Sequence, residues 1–157
     1  MWGALGFLAA GDFERGYEII KAINPAIRCG DKDLAERYRI EPYVFSGDVY
    51  SNISHTGRGG WSWYTGAASW YYRVVLENLL GFELLVDRFT INPAVCENKN
   101  KGCEFENFSL DIKFTAGSYK INVSRADDGD KIFNLDGNPS DNPIIITNGE
   151  HIVDIKY

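Results

Sequence analysis

Histidine, cysteine and methionine are scarce in this chain: two, three and one among 157 residues. Cys29, Cys96 and Cys103 are odd in number and include no closely spaced pair, which excludes a disulfide scaffold and a zinc knuckle. Cys96 and Cys103 bracket the polar stretch 97–102 and read as two reduced thiols at the ends of a loop. Neither His55 nor His151 has the convergent N, O or S ligands a metal needs, so no metal site is expected. The acidic run Asp127-Asp128-Gly129-Asp130 lacks the later ligands of a calcium loop and reads as a solvated turn. Basic residues are outnumbered 16 to 22, giving a net charge of −6. With no basic cluster in the sequence, nucleic acid is not an expected partner. No window approaches the ~20 apolar residues of a membrane span. The apolar run Met1–Ala10 lacks the basic lead-in of a secretory signal, so the expected compartment is the cytoplasm. Apolar residues are plentiful at 45%, with 14% aromatic, enough to build a packed core.

The texture of the chain changes near residue 82. Trp2–Ala9 is continuously apolar and ends at Gly11, and a helix apolar on every side belongs inside a larger core. Asp12 is placed to cap a helix over Phe13–Ile23, with Phe13, Tyr17, Ile20 and Ile23 at helical spacing. Pro25 blocks its continuation. From Asn24 to Tyr64 the chain reads as a long loop, with a short helix at Asp33–Tyr38 and an extended piece at Tyr43–Phe45. The strongest helical pattern is Gly66–Leu80, with Thr65 at the N-cap and Gly81 suited to the position after its end. Beyond it come short β-branched or aromatic segments: 83–86, 88–91, 108–114, 119–124, 131–135, 144–147 and 151–157. Turn signals separate them, and Asn148-Gly149 predicts a hairpin between the last two. The expected class is α+β, with residues 83–157 as an antiparallel β-sandwich.

One segment carries chemistry, His55-Thr-Gly-Arg-Gly-Gly-Trp-Ser-Trp-Tyr-Thr-Gly-Ala-Ala-Ser-Trp70. It delivers Thr65-Gly66 to the start of a long helix, where unpaired backbone N–H groups and the helix dipole favour an anion. Thr65 adds a hydroxyl, and Gly66 leaves the backbone uncovered. Trp61 and Trp63 offer flat faces of the kind sugars stack on, and Arg58 has the fork that suits an oxyanion. The competing reading, with Thr65 only a cap and the tryptophans only core, stays open on chemistry alone.

Arg39-Ile-Glu-Pro-Tyr-Val44, Asp48-Val-Tyr50 and Gly57-Arg-Gly-Gly-Trp-Ser-Trp-Tyr-Thr-Gly66 together resemble the C-terminal part of glycoside hydrolase family 94. That family holds inverting phosphorylases and the phosphorylase-like domain of cyclic β-1,2-glucan synthases. The likeness extends to Leu8-Ala-Ala-Gly-Asp-Phe-Glu-Arg15, Ile23-Asn-Pro25 and Ile91-Asn-Pro93, and faintly to Asn148-Gly-Glu-His151. It implies that 1–82 is the last portion of an (α/α)6 barrel with its phosphate loop, and that 83–157 is a jelly-roll-like C-terminal β domain. It further implies phosphate attack on an anomeric carbon while an aspartic acid protonates the leaving oxygen. Thr65 and Gly66 match the family's phosphate-binding pair; no residue here matches the general acid, and His55 does not match the family's phosphate-contacting histidine.

The implied ligands are a β-linked gluco-oligosaccharide and inorganic phosphate as co-substrate, with no cofactor, in the bacterial cytoplasm. Arg58, Trp61, Trp63 and Glu41 are the expected substrate contacts; Glu41, ahead of Pro42, suits a structural or outer contact rather than a catalytic one. Gly47 and Trp61 stand where cellobiose phosphorylases carry Gln and Asn, which resembles the β-1,2-glucan branch more closely. The chain is therefore expected to be a fragment, inactive alone, needing the N-terminal part of the barrel or a homodimer partner. A non-catalytic carbohydrate-binding module and a subunit of a split enzyme are the alternatives. An incomplete barrel would leave Trp2, Phe7, Leu8 and the 66–80 face exposed.

Overall fold

A computed structural model describes residues 1–63, 66–94, 107–126 and 131–157. The expectations for Tyr64 and Thr65, for the Cys96 and Cys103 thiols and for the turn at 127–130 lie outside the described residues. The chain forms two compact units, one built on Met1–Leu80 with Ala94, the other on Gly81–Pro93 with the described residues from Asn107 onward.

The first unit is helical. Helix α1 spans Trp2–Ala9 and α2 spans Phe13–Ile23, where the Asp12 carboxylate accepts a hydrogen bond from the Arg15 N–H at 3.2 Å. Gly16 permits their close approach, because a Cβ there would sit 2.7 Å from Leu8 Cδ2. Leu8 is consequently buried, contrary to the expected exposure, and joins Ala4, Ile20, Val74, Leu79 and Ala94 in one core. Trp2 does remain exposed, at 74%, and meets Trp70 edge-on at 6.0 Å. Pro25 does stop α2, yet it also starts a one-turn helix α3, Pro25–Arg28, capped by the Asn24 side chain. Proline is tolerated at a first helical position because its missing N–H would have no partner there. Helix α4 spans Lys32–Tyr38 and is capped by Asp31.

The supposed loop from Asn24 to Tyr64 carries more order than its composition indicates. Tyr38 is buried, and its hydroxyl lies 3.1 Å from Ser46 Oγ and accepts from the Ser46 N–H at 3.3 Å. That anchor leads into a hairpin of β1, Asp48–Val49, and β2, Gly59–Gly60, in which Asp48 faces Gly60. Helix α5 spans Ala67–Arg73, and the chain then winds as a π-helix over Val74–Leu79. The expected α-helix over Gly66–Leu80 is therefore α only in its first half; the Leu80 N–H reaches the Val75 carbonyl at 2.8 Å. Gly81 follows with φ +71, the left-handed conformation expected of it.

The second unit is strand-rich. A three-stranded sheet runs β3 (Phe82–Leu84), β4 (Arg88–Ile91) and β9 (Ile144–Ile145). A five-stranded sheet has the order β5 (Asn107–Lys113), β6 (Gly117–Ser124), β10 (Gly149–Lys156), β7 (Ile132–Leu135) and β8 (Asn138–Pro139). The class is α+β, as expected. Among the described residues all pairings are antiparallel except one: β10 runs parallel to β6, with Gly149 facing Gly117 and Lys156 facing Ser124. The Asn148-Gly149 hairpin does not form either, because β9 pairs with β4 while β10 pairs with β6 and β7. Both departures have one cause. The Tyr119 hydroxyl accepts from the Thr147 N–H at 2.7 Å, and Gly117 lets the Thr147 and Gly149 carbonyls come within 2.4 and 2.7 Å of where a Cβ would be. The segment after β9 is thus pinned at the start of β6, and β10 leaves along β6 in the same direction.

A polar clasp closes this end of the sheet. His151 Nδ1 donates to Asp136 Oδ2 at 2.8 Å, since a carboxylate can only accept, and Nε2 lies 3.0 Å from Thr147 Oγ1 and 3.3 Å from the Asn148 carbonyl oxygen. The Ile152 N–H also donates to Asp136 Oδ1 at 2.8 Å. The bond from His151, then that from Ile152, holds the Asp136 carboxyl below its ordinary 3.8. A carboxyl depressed by folding adds stability above its unfolded value and loses it as the pH falls through the folded one. Asp136→Asn is therefore expected to lower Tm at neutral pH, with the difference from wild type closing on acidification below 3.8. A difference that stays constant across that range rules out the linkage.

Candidate functional site

The Gly-rich run owes its glycines to three close approaches. Gly57 has φ +84 and lies under Arg37, whose Cδ would be 2.7 Å from a Cβ. At Gly59 a Cβ would meet Ile40 Cγ1 at 2.5 Å and buried Tyr38 Cε2 at 3.0 Å. Gly60 faces the Asp48 carboxylate and the Tyr50 hydroxyl at similarly short range. The hairpin backbone is laid directly on the side chains beneath it, so the motif is structural before it is chemical.

Past Gly60 the backbone enters the left-handed region twice, at Trp61 (φ 46) and Trp63 (φ 65). For a bulky side chain this conformation is unfavourable by on the order of 1–3 kcal/mol, and such strain collects at sites that hold a ligand. Both indoles stand outward, Trp61 at 73% and Trp63 at 67% exposure. Trp63 Nε1 donates to Glu41 Oε1 at 3.2 Å, and its ring meets Tyr43 edge-on at 6.3 Å. Glu41, Tyr43 and Trp63 therefore form one exposed aromatic and acidic surface. Tyr43 was not singled out from sequence, although its place in Glu41-Pro42-Tyr43 was the available signal.

Gly66 opens elsewhere, on a cleft of about 850 Å³ that it shares with Trp2, Arg28, Asp48 and Trp70. Nothing lies within 4 Å of a Cβ built on Gly66, so its backbone faces free space rather than a packed neighbour. Arg58 lines a different cleft, of about 610 Å³, with Arg37, Arg39 and His55. Of the expected site residues, Glu41 and Trp63 are joined by a hydrogen bond, Trp61 stands exposed, Gly66 opens on one cleft and Arg58 on another. The sequence assigns no site role to Arg37, and it offers Arg39 only as the first residue of the Arg39–Val44 stretch. Among the described residues, no helix is long and apolar enough to cross a membrane.

Comparison with known proteins bears on the same residues. The catalytic-domain profile of the glycosyl hydrolase 94 superfamily matches residues 1–81. The chain is 34% identical over 124 residues to the cyclic beta-(1,2)-glucan synthase NdvB of Rhizobium meliloti (strain 1021), covering 79% of this chain and 4% of that protein. It is 28% identical over 127 residues to solabiose phosphorylase of Paenibacillus borealis, covering 78% of this chain and 16% of that protein. The chain therefore spans a small part of either relative's length. On the catalytic-domain match over 1–81, the chain belongs to the glycosyl hydrolase 94 superfamily.

Proposed function

We propose that this chain is the phosphate-loop end of an inverting glycoside phosphorylase or glucan-synthesising protein that transfers a glucosyl unit between a β-glucan and inorganic phosphate. Residues 1–82 would supply the last helices of an (α/α)6 barrel, and 83–157 its C-terminal β domain. The observation that carries the reading is the catalytic-domain match over 1–81. Names of relatives that make a β-glucan or phosphorolyse a saccharide add support.

In this reading Thr65 and Gly66 hold the phosphate, with Gly66 giving an oxyanion open access to the backbone. Trp61 and Trp63 stack on glucosyl rings. Glu41 fixes the Trp63 indole through Nε1 and keeps its second oxygen for a sugar hydroxyl. Arg58 contributes charge from its own cleft. Phosphate then displaces the leaving sugar with inversion, while an aspartic acid outside these residues protonates the departing oxygen. No cofactor enters that reaction, its compartment would be the bacterial cytoplasm, and nucleic acid has no part in it. Completion of the site would come from the N-terminal part of a barrel or from a second copy.

A second reading, a carbohydrate-binding module or the subunit of a split enzyme, is favoured by the exposure of Tyr43, Trp61 and Trp63, at 72%, 73% and 67%. One experiment tests the roles that both readings give these residues. The chain is incubated with a β-1,2-linked gluco-oligosaccharide and phosphate while glucosyl phosphate formation and tryptophan fluorescence are followed. Expected are no turnover and a fluorescence change on sugar binding that needs about tenfold more sugar in Trp63→Ala, the loss of one aromatic anchor. Turnover by the chain alone overturns the assignment of the general acid to other residues. An unaltered fluorescence titration in Trp63→Ala overturns the stacking role.

A further inference from the structure

The cleft that holds Arg58 is distinct from the one on which Gly66 opens, and its charge is unusual for a chain carrying −6 overall. Arg37, from α4, and Arg39, just past its end, line it with Arg58 and His55 from the hairpin, on walls that are mostly polar. Among the described residues, no carboxylate pairs with Arg37, Arg39 or Arg58. Glu36 also lines the cleft, and its Oε1 lies 3.8 Å from Lys32 Nζ instead. Arg39 is held at φ 57 with its Nε donating to the Glu36 carbonyl at 3.1 Å, an unfavourable backbone for any residue but glycine, asparagine or aspartate. Gly57, at φ +84, leaves the room in which the Arg37 stem lies. Two positions of costly or specialised backbone therefore serve to bring guanidinium groups to one cleft, where none of the three has an ion-pair partner among the described residues. Like charges so gathered are stabilised by a shared counter-anion.

We propose that this cleft binds the phosphate group of a small phosphorylated ligand, at a site separate from Thr65–Gly66. Three guanidinium forks match the three terminal oxygens of a phosphomonoester, and a carboxylate would occupy at most two. Ser54 and Thr56 also line the cleft; their hydroxyls donate to Asn52 Oδ1 at 2.7 Å and to the Asn52 carbonyl at 2.8 Å, which leaves their oxygens to accept from a hydroxylated organic moiety. At about 610 Å³ the cleft has the size of a small-molecule pocket rather than of a bare ion. A sugar phosphate satisfies both features, with its phosphate on the arginines and its ring toward the hydroxyls.

The test titrates the 157-residue chain, ¹⁵N-labelled, with a hexose 6-phosphate, inorganic phosphate and the neutral hexose in parallel. The expected result is that the hexose phosphate shifts the amides of residues 54–58 and binds more tightly than inorganic phosphate, while the neutral hexose leaves them unmoved. Equal affinity for the two phosphates retains the phosphate site and assigns it to the free ion. Arg37→Gln and Arg39→Gly are each expected to weaken binding about tenfold, the effect of one lost charge-assisted contact. Arg39→Gly also relieves the left-handed backbone, so loss of fold does not confound it. Thr65→Ala, at the other phosphate site, is expected to leave this binding unchanged. Binding that survives both arginine substitutions, or no shift at 54–58 in the folded wild type, overturns the proposal. Loss of phosphate binding in Thr65→Ala alone also overturns it, while supporting the phosphate loop described above.

Discussion

Gly81→Ala is expected to cost more than about 3 kcal/mol, enough to unfold a marginally stable unit. The residue sits at φ +71, where an alanine is strained by roughly 1–2 kcal/mol before any contact is counted. Its Cβ would then fall 1.9 Å from the Asn92 carbonyl oxygen and 2.1 Å from the carbonyl carbon. Neither is the end of a side chain that can swing aside. They belong to the backbone that hydrogen-bonds Gly81 itself, with the Asn92 N–H donating to its carbonyl at 2.9 Å. Relief requires β3 and β4 to separate where Phe82 pairs with Ile91. Urea unfolding followed by circular dichroism checks this, and a loss below about 1 kcal/mol would mean the close approach is not needed.

Phe89→Ala is expected to cost about 3–5 kcal/mol, the usual range for emptying a phenylalanine from a closed core. Phe89 has no exposed surface and its ring lies 5.2 to 5.8 Å from those of Tyr119, Phe82 and Phe114. It is the point at which side chains of the three-stranded and five-stranded sheets meet, so its removal leaves a void lined by aromatics that cannot collapse without moving strands. Ile145→Ala is the matched control. That residue lies on the same sheet, 57% exposed, and its truncation should change stability by no more than about 0.5 kcal/mol. Equal effects from the two substitutions would mean that Phe89 is not the centre of the unit.

Local signals in the sequence located much of this fold. Asp12 and the spacing of Phe13, Tyr17 and Ile20 define α2 to the residue, and Arg88–Ile91 is a strand as its pattern predicts, because these features depend on neighbours within a turn or a pleat. What escaped depends on distant partners. No local rule distinguishes a hairpin at Asn148-Gly149 from a parallel departure decided by the Tyr119 hydroxyl, 28 residues from the Thr147 N–H it accepts from. The site divides in the same manner. Trp61, Trp63 and Gly66 are conspicuous as a Gly/Trp run, but the bond from Trp63 to Glu41 and the gathering of Arg37 and Arg39 beside Arg58 come from folding a long segment back over Tyr38.

The position of β10 within its sheet also has a consequence for synthesis. It lies between β6 and β7, so every strand of the five-stranded sheet precedes the one that joins them. Asn122 and Asp154 bond side chain to side chain across that junction although they are 32 residues apart. Pairing over such a separation is slow compared with helix or hairpin closure. On the ribosome, β5 and β6 emerge as a ribbon whose β6 edge lacks its partner, and β7 and β8 as one whose β7 edge lacks it, until residues 149–156 have cleared the exit tunnel. The open edge of β6, with Ile121 and Val123 not yet covered, is during that interval the segment on which a chaperone or a neighbouring nascent chain acts.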